Sequence, residues 1–111
     1  MKCRLDPKRI RFRITKEELS QLQIDKTLSE TIIFPNHQAL RYTIHLQDAN
    51  HPFALTYDQN NITLSVPETH LALLSKAPPK EGIKNTLTLG ENPLVFSLEI
   101  DMGRDTSSTK P

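Results

Sequence analysis

The sequence predicts a β-rich α+β domain in which a β-β-α-β-β unit is used twice, giving about eight antiparallel strands and two short helices in a barrel or a two-sheet sandwich. Three observations carry that expectation. Polar and apolar residues alternate over several short stretches, the period of half-buried strands. Apolar positions near the start recur 52 residues later in the same order. A unit of four strands and one short helix also exposes more sheet face than about eight helical residues can cover, so each unit needs the other.

The elements follow in chain order. Residues 2–6 and 9–14 place Cys3, Leu5, Ile10, Phe12 and Ile14 on one face and Lys2, Arg4, Arg9, Arg11 and Arg13 on the other, with Asp6-Pro7-Lys8 as the turn. Thr15-Lys16-Glu17-Glu18 is a capping box, and the helix it opens carries Leu19 and Leu22 inward. Strands are expected at 30–35 and 39–47, joined by the turn Pro35-Asn36-His37-Gln38. In the second unit Asp58, Ile62, Leu64, Val66, Leu71 and Leu74 answer Asp6, Ile10, Phe12, Ile14, Leu19 and Leu22. Phe96, Leu98 and Ile100 answer Tyr42, Ile44 and Leu46 at a shift of 54. The turn Asp58-Gln59-Asn60-Asn61 uses asparagines, which tolerate left-handed backbone. Pro67 stands where Thr15 stood and suits a first helical turn, because its missing N–H costs nothing there. The helix 68–75 turns Leu71 and Leu74 inward, leaves Leu73 over, and is stopped by Ala77-Pro78-Pro79. Strands at 84–90 and 93–101 with the turn Gly90-Glu91-Asn92-Pro93 complete a single domain, 1–102, of two pseudo-repeats, 2–47 and 53–101. Residues 103–111 lack any apolar side chain and are expected to be a disordered tail. Strands 39–47 and 93–101 have no proline in their interiors, and they are expected to supply sheet edges through which a homodimer could form.

Composition narrows the function classes. No stretch approaches the roughly 18 to 20 apolar residues of a membrane span, and the opening Met1-Lys2-Cys3-Arg4-Leu5-Asp6 lacks a secretory apolar region, so a cytoplasmic address without membrane contact is expected. The single cysteine, Cys3, offers neither an internal disulfide nor a zinc-binding pair and reads as a small buried strand residue. His37, His45, His51 and His70 share no ligand spacing and read as surface histidines. No acid/base pair, glycine-rich phosphate loop or nucleophile motif stands out, so the sequence calls for no catalytic residue, no metal and no cofactor, and it favours a non-enzymatic binding or adaptor module.

Charge supplies the one feature that folding does not require. Residues 1–16 hold seven cations against Asp6 alone, while the chain as a whole carries +1, which leaves the remainder at −5. Lys2, Arg4, Arg9, Arg11 and Arg13 share one face of a hairpin, where directly opposed like charges destabilise the pairing. The second unit has Ala54, Thr56, Asn61, Thr63 and Ser65 in the corresponding places, so the basic face is not a need of the fold. The charge is expected to be met internally by Glu99, Asp101 or Glu30, or externally by an acidic protein or a phosphate-bearing ligand, for which the arginine fork is suited. Nucleic acid is disfavoured, because Phe12, Phe34, Tyr42, Phe53, Tyr57 and Phe96 nearly all fall on faces expected to be buried, leaving no stacking platform beside the cations.

The segments Lys2-Cys3-Arg4-Leu5, Ile10-Arg11-Phe12-Arg13-Ile14-Thr15-Lys16-Glu17-Glu18 and Asn61-Ile62-Thr63-Leu64-Ser65-Val66-Pro67 resemble a family of short uncharacterised bacterial proteins. In that family a K-x-R strand, an R-x-R strand and a T-K-x-E helix start open the chain, and a strand ending in V-P lies at mid-chain. The resemblance covers most of residues 2–100. It implies a bacterial, cytoplasmic protein and transfers no catalytic residue. The architecture is also similar to the triphosphate-tunnel group, whose duplicated strand and helix units close into an eight-stranded barrel. That analogy implies a phosphate-ester enzyme as the alternative function, but the group's opening E-x-E-x-K strand is here Lys2-Cys3-Arg4-Leu5-Asp6, without the metal-binding carboxylates.

Overall fold

Alternating side chains become two four-stranded sheets in the computed structural model, which describes residues 1–76 and 82–101. The order along the chain is β1 (Lys2–Asp6), β2 (Arg9–Ile14), α1 (Lys16–Asp25), β3 (Thr27–Ile33), a 3-10 turn (Pro35–His37), β4 (Ala39–Gln47), β5 (Ala54–Asp58), β6 (Asn61–Pro67), α2 (Glu68–Lys76), β7 (Ile83–Leu89) and β8 (Asn92–Ile100). One sheet has the order β1-β2-β8-β7 and the other β3-β4-β6-β5. The β-rich class, the eight strands and the two helices agree with the sequence reading. Of its two architectures the sandwich is the one adopted, since the strands form two separate sheets rather than a closed barrel.

Two pairings depart from the antiparallel expectation. β2 runs parallel to β8, and β4 runs parallel to β6. The reason lies in the helices. α1 carries the chain from β2 in one sheet to β3 in the other, and α2 carries it back from β6 to β7. Each sheet therefore joins the first hairpin of one half to the second hairpin of the other half, and the strands meeting at the seam point the same way. Parallel neighbours need a long intervening connection, and these have one. A second correction follows from the same topology. β4 and β8 are interior strands, and the sheet edges are β1, β7, β3 and β5, so the edges expected at 39–47 and 93–101 are already paired on both sides.

The core forms where the inward faces meet. Phe12, Ile14, Phe96 and Leu98 come from one sheet and Ile44, Leu64 and Val66 from the other, each at 1% exposure or less. Each such side chain contributes about 1.5–3 kcal/mol on burial. Leu19 and Leu22 of α1 and Leu71 and Leu74 of α2 join the same cluster, while Leu73 stays exposed, as their spacing predicts. The capping box is present in full: Glu18 N donates to Thr15 Oγ1 at 3.1 Å and Thr15 N donates to Glu18 Oε1 at 2.9 Å. Lys26 ends α1 in left-handed backbone, with φ 69°, and its amide bonds Leu22 O at 2.8 Å. That abrupt stop starts β3 at Thr27, three residues ahead of the expected strand. A lysine gives none of the usual glycine signal for such a cap. Pro67 closes β6 rather than opening the helix. Leu5, expected inside, is half exposed near the turn of edge strand β1. Among the described residues, no helix is long and apolar enough to cross a membrane. The helix stop at 77–79 and the tail at 103–111 lie outside the described residues.

Candidate functional site

Hairpin β1–β2 builds the basic face from its register. Lys2 stands opposite Arg13, Arg4 opposite Arg11 and Asp6 opposite Arg9, so all six share the outer side. Asp6 Oδ1 accepts from Lys8 N at 2.9 Å and tightens the turn, the local device its sequence suggested. β8 lies along β2 with Ser97 beside Arg11 and Glu99 beside Arg13. Glu99 thus enters the middle of the cationic face. Arg11 clamps it with two bonds, Nε to Oε2 and Nη2 to Oε1, both 2.9 Å. Arg13 Nη2 reaches Oε1 at 3.3 Å, the Ser97 hydroxyl donates to Oε2 at 3.1 Å, and Arg9 Nη2 lies 3.8 Å from Oε2.

Glu99 is only 7% exposed and Ser97 is fully buried, although both lie on the outer face. Gly82 explains part of that cover. With φ +75° it packs so closely that an added Cβ would stand 2.3 Å from Leu98 O and 2.8 Å from Glu99 Cγ. Burial alone would raise the Glu99 carboxyl, but the hydrogen bonds of Arg11 and Arg13, the charge of Arg11 and the Ser97 hydroxyl outweigh it and hold the group below the usual carboxylate range. The same contact raises the Arg11 guanidinium above its ordinary value.

Glu99 reaches three of the five cations, Arg9, Arg11 and Arg13. The side chains of Lys2 and Arg4 have no hydrogen-bond or ion-pair partner among the described residues. Together with Arg11, Arg13 and Cys3 they line a cleft of about 280 Å³. Cys3 is half-buried, and burial pushes its thiol up to about 11, so it is neutral and poorly nucleophilic at pH 7. Of the five residues singled out in the sequence, four meet in this cleft. Arg9 sits apart, opposite Asp6 at the turn end, with its Nε buried and unbonded. Of the three carboxylates considered as internal partners, Glu99 takes three arginines. Glu30 instead accepts from the Met1 amine at 3.2 Å, an amine that also bonds Glu18.

The opposite sheet offers a different surface. Its outer face carries a hydroxyl and amide chain, with Ser29 Oγ 2.9 Å from Thr43 Oγ1 and Thr43 Oγ1 donating to Asn61 Oδ1 at 3.2 Å. Arg41 Nε donates to Thr31 Oγ1 at 3.3 Å beside a polar cleft of about 670 Å³ between two turns. Sequence reasoning did not single out this cleft, because its residues come from two hairpins and carry no charge run. His51 pairs with Asp48 at 2.8 Å. His70 is half-buried and stacks on Phe53 at 5.5 Å between ring centres. Of the six aromatics expected nearly all on buried faces, Phe34 and Tyr57 are exposed, and both lie away from the basic cleft on the other sheet's elements. Among the described residues, no three His, Cys, Asp or Glu side chains converge as metal ligands would.

The chain belongs to the Family of unknown function (DUF7009), whose model matches residues 1–107. No curated protein and no solved structure matches it.

Proposed function

We propose that this protein is a non-enzymatic binding module whose hairpin β1–β2 receives an anionic partner on the face of Lys2, Arg4, Arg9, Arg11 and Arg13. The observation that carries this reading is the imbalance of the face: Glu99 is committed to the arginines of β2, while Lys2 and Arg4 stand without a partner among the described residues at the rim of an open cleft. Opposing cations across a hairpin oppose folding, and an anion relieves that repulsion. The alternative, a phosphate-ester enzyme of triphosphate-tunnel-like architecture, gains less support, since the Glu99 oxygens are taken by Arg11, Arg13 and Ser97.

Retention on immobilised poly-L-glutamate, eluted by salt, tests the reading. The wild-type chain is expected to bind at low ionic strength and release as salt screens the charges. The double variant Lys2→Ser, Arg4→Ser is expected to elute earlier. It is a better probe than changes at Arg11 or Arg13, which would also strand Glu99. Equal elution of the two proteins would retire the proposal.

A further inference from the structure

We infer that the basic cleft takes the phosphoryl group of a small phosphate monoester, an assignment that rests on the anion-binding reading above and narrows it. Charge separates the candidate anions. Lys2, Arg4, Arg11 and Arg13 line the cleft, and among the described residues the one carboxylate bonded within this set is Glu99, which leaves a surplus of three positive charges among them. A carboxylate ligand offsets one of these. A phosphate monoester, with a second pKa of about 6, offsets nearly two at neutral pH. Cys3 does not compete, because its thiol is held protonated.

The donors are also arranged before a ligand arrives. Glu99 fixes Arg11 through Nε and Nη2 and holds Arg13 through Nη2, so neither guanidinium has to be ordered again on binding. The N–H groups that Glu99 does not use, together with the whole of Arg4 and the Lys2 ammonium, remain for an oxyanion with three terminal oxygens. Ser97 and Gly82 keep Glu99 in place from behind, the first by its hydroxyl and the second by its close approach. At about 280 Å³ the cleft has room for a phosphoryl group and a few atoms of its carrier.

Titration of the full chain with glycerol 2-phosphate, followed by amide NMR, tests the assignment. Saturable shifts are expected in residues 2–13 and 97–99, with an apparent Kd about tenfold weaker at pH 5.0 than at pH 7.5 as the ester becomes a monoanion. Sulfate, a dianion at both pH values, should show no such weakening. Acetate should not saturate, and Lys2→Ser, Arg4→Ser should abolish saturation by the ester. An equal response to acetate, or an unchanged titration of the double variant, would overturn the inference. Inorganic phosphate binding as tightly as the ester would overturn the monoester in favour of the free ion. Retention on poly-L-glutamate without a saturable phosphate response would remove this inference and leave the anion-binding reading standing, whereas loss of both would remove both.

Discussion

Hairpin β1–β2 turns Phe12 and Ile14 into the core beside β8, and hairpin β5–β6 turns Leu64 and Val66 into it beside β4, in the same position relative to a parallel neighbour. Their outer sides differ. Arg9, Arg11 and Arg13 of β2 face Val95, Ser97 and Glu99, whereas Asn61, Thr63 and Ser65 of β6 face Arg41, Thr43 and His45. One sheet closes its outer face with an ion cluster around a buried carboxylate, and the other with short hydroxyl and amide bonds. The same backbone arrangement therefore accepts either chemistry.

Breaking the shared inner faces is expected to have the largest effect. Phe12→Ala and Leu64→Ala each leave a cavity between the sheets and should cost about 3–5 kcal/mol in denaturant unfolding. Comparable costs would support the equivalence of the two hairpins. A loss at only one position would break it.

Glu99 tests the outer difference. Glu99→Gln keeps the shape but removes the charge that Arg11 and Arg13 hold, and it should cost about 2 kcal/mol, since the arginines remain partly hydrated. Its pH signature has a definite sign. The folded carboxyl titrates below its unfolded value of about 4.3, so its stabilisation is present above that value and is lost as pH falls through the folded one. Wild type should therefore lose stability more steeply than Glu99→Gln below about pH 4.3. Parallel acid profiles would show that Glu99 is not held by the cluster.

The helix starts extend the comparison at smaller scale. α1 opens on Thr15 with reciprocal bonds to Glu18, and α2 follows Pro67 directly. Thr15→Ala should cost about 1 kcal/mol by thermal or denaturant unfolding. No measurable change would mean that packing of Leu19 and Leu22 alone sets that helix.

What the sequence made legible divides along the same line. Local features were readable: the alternation of β1 and β2, the capping box at Thr15, the inward Leu19, Leu22, Leu71 and Leu74, and the shared face of the cations, because each is decided by neighbours a few residues apart. Glu99 could be named as an internal partner from its place on the polar side of a strand. Its clamp by Arg11 could not, since the two are 88 residues apart and meet only because α1 and α2 exchange hairpins between sheets. The role of Gly82 was hidden for a similar reason, as its close approach to Glu99 follows from β7 pairing beside β8. The parallel seams and the true edge strands depend on that exchange too, and no periodicity in a single strand reports it.

The smallest expected effect is the most direct on the meaning of the basic face. Lys2 and Arg4 stand opposite Arg13 and Arg11, and neither has a partner among the described residues. If these two cations contribute only to binding, replacing them removes repulsion and leaves the Glu99 cluster intact. Lys2→Ser, Arg4→Ser should then raise stability by about 0.5 kcal/mol in low-salt urea unfolding. The gain should shrink as salt screens the wild-type repulsion. Hairpin β5–β6, with Ala54 opposite Ser65 and Thr56 opposite Thr63, lacks that repulsion, so cations placed on both members of those pairs should produce the opposite change of similar size. A double variant that is less stable than wild type at low salt would show that Lys2 and Arg4 hold the fold together, and it would transfer the basic face from function to architecture.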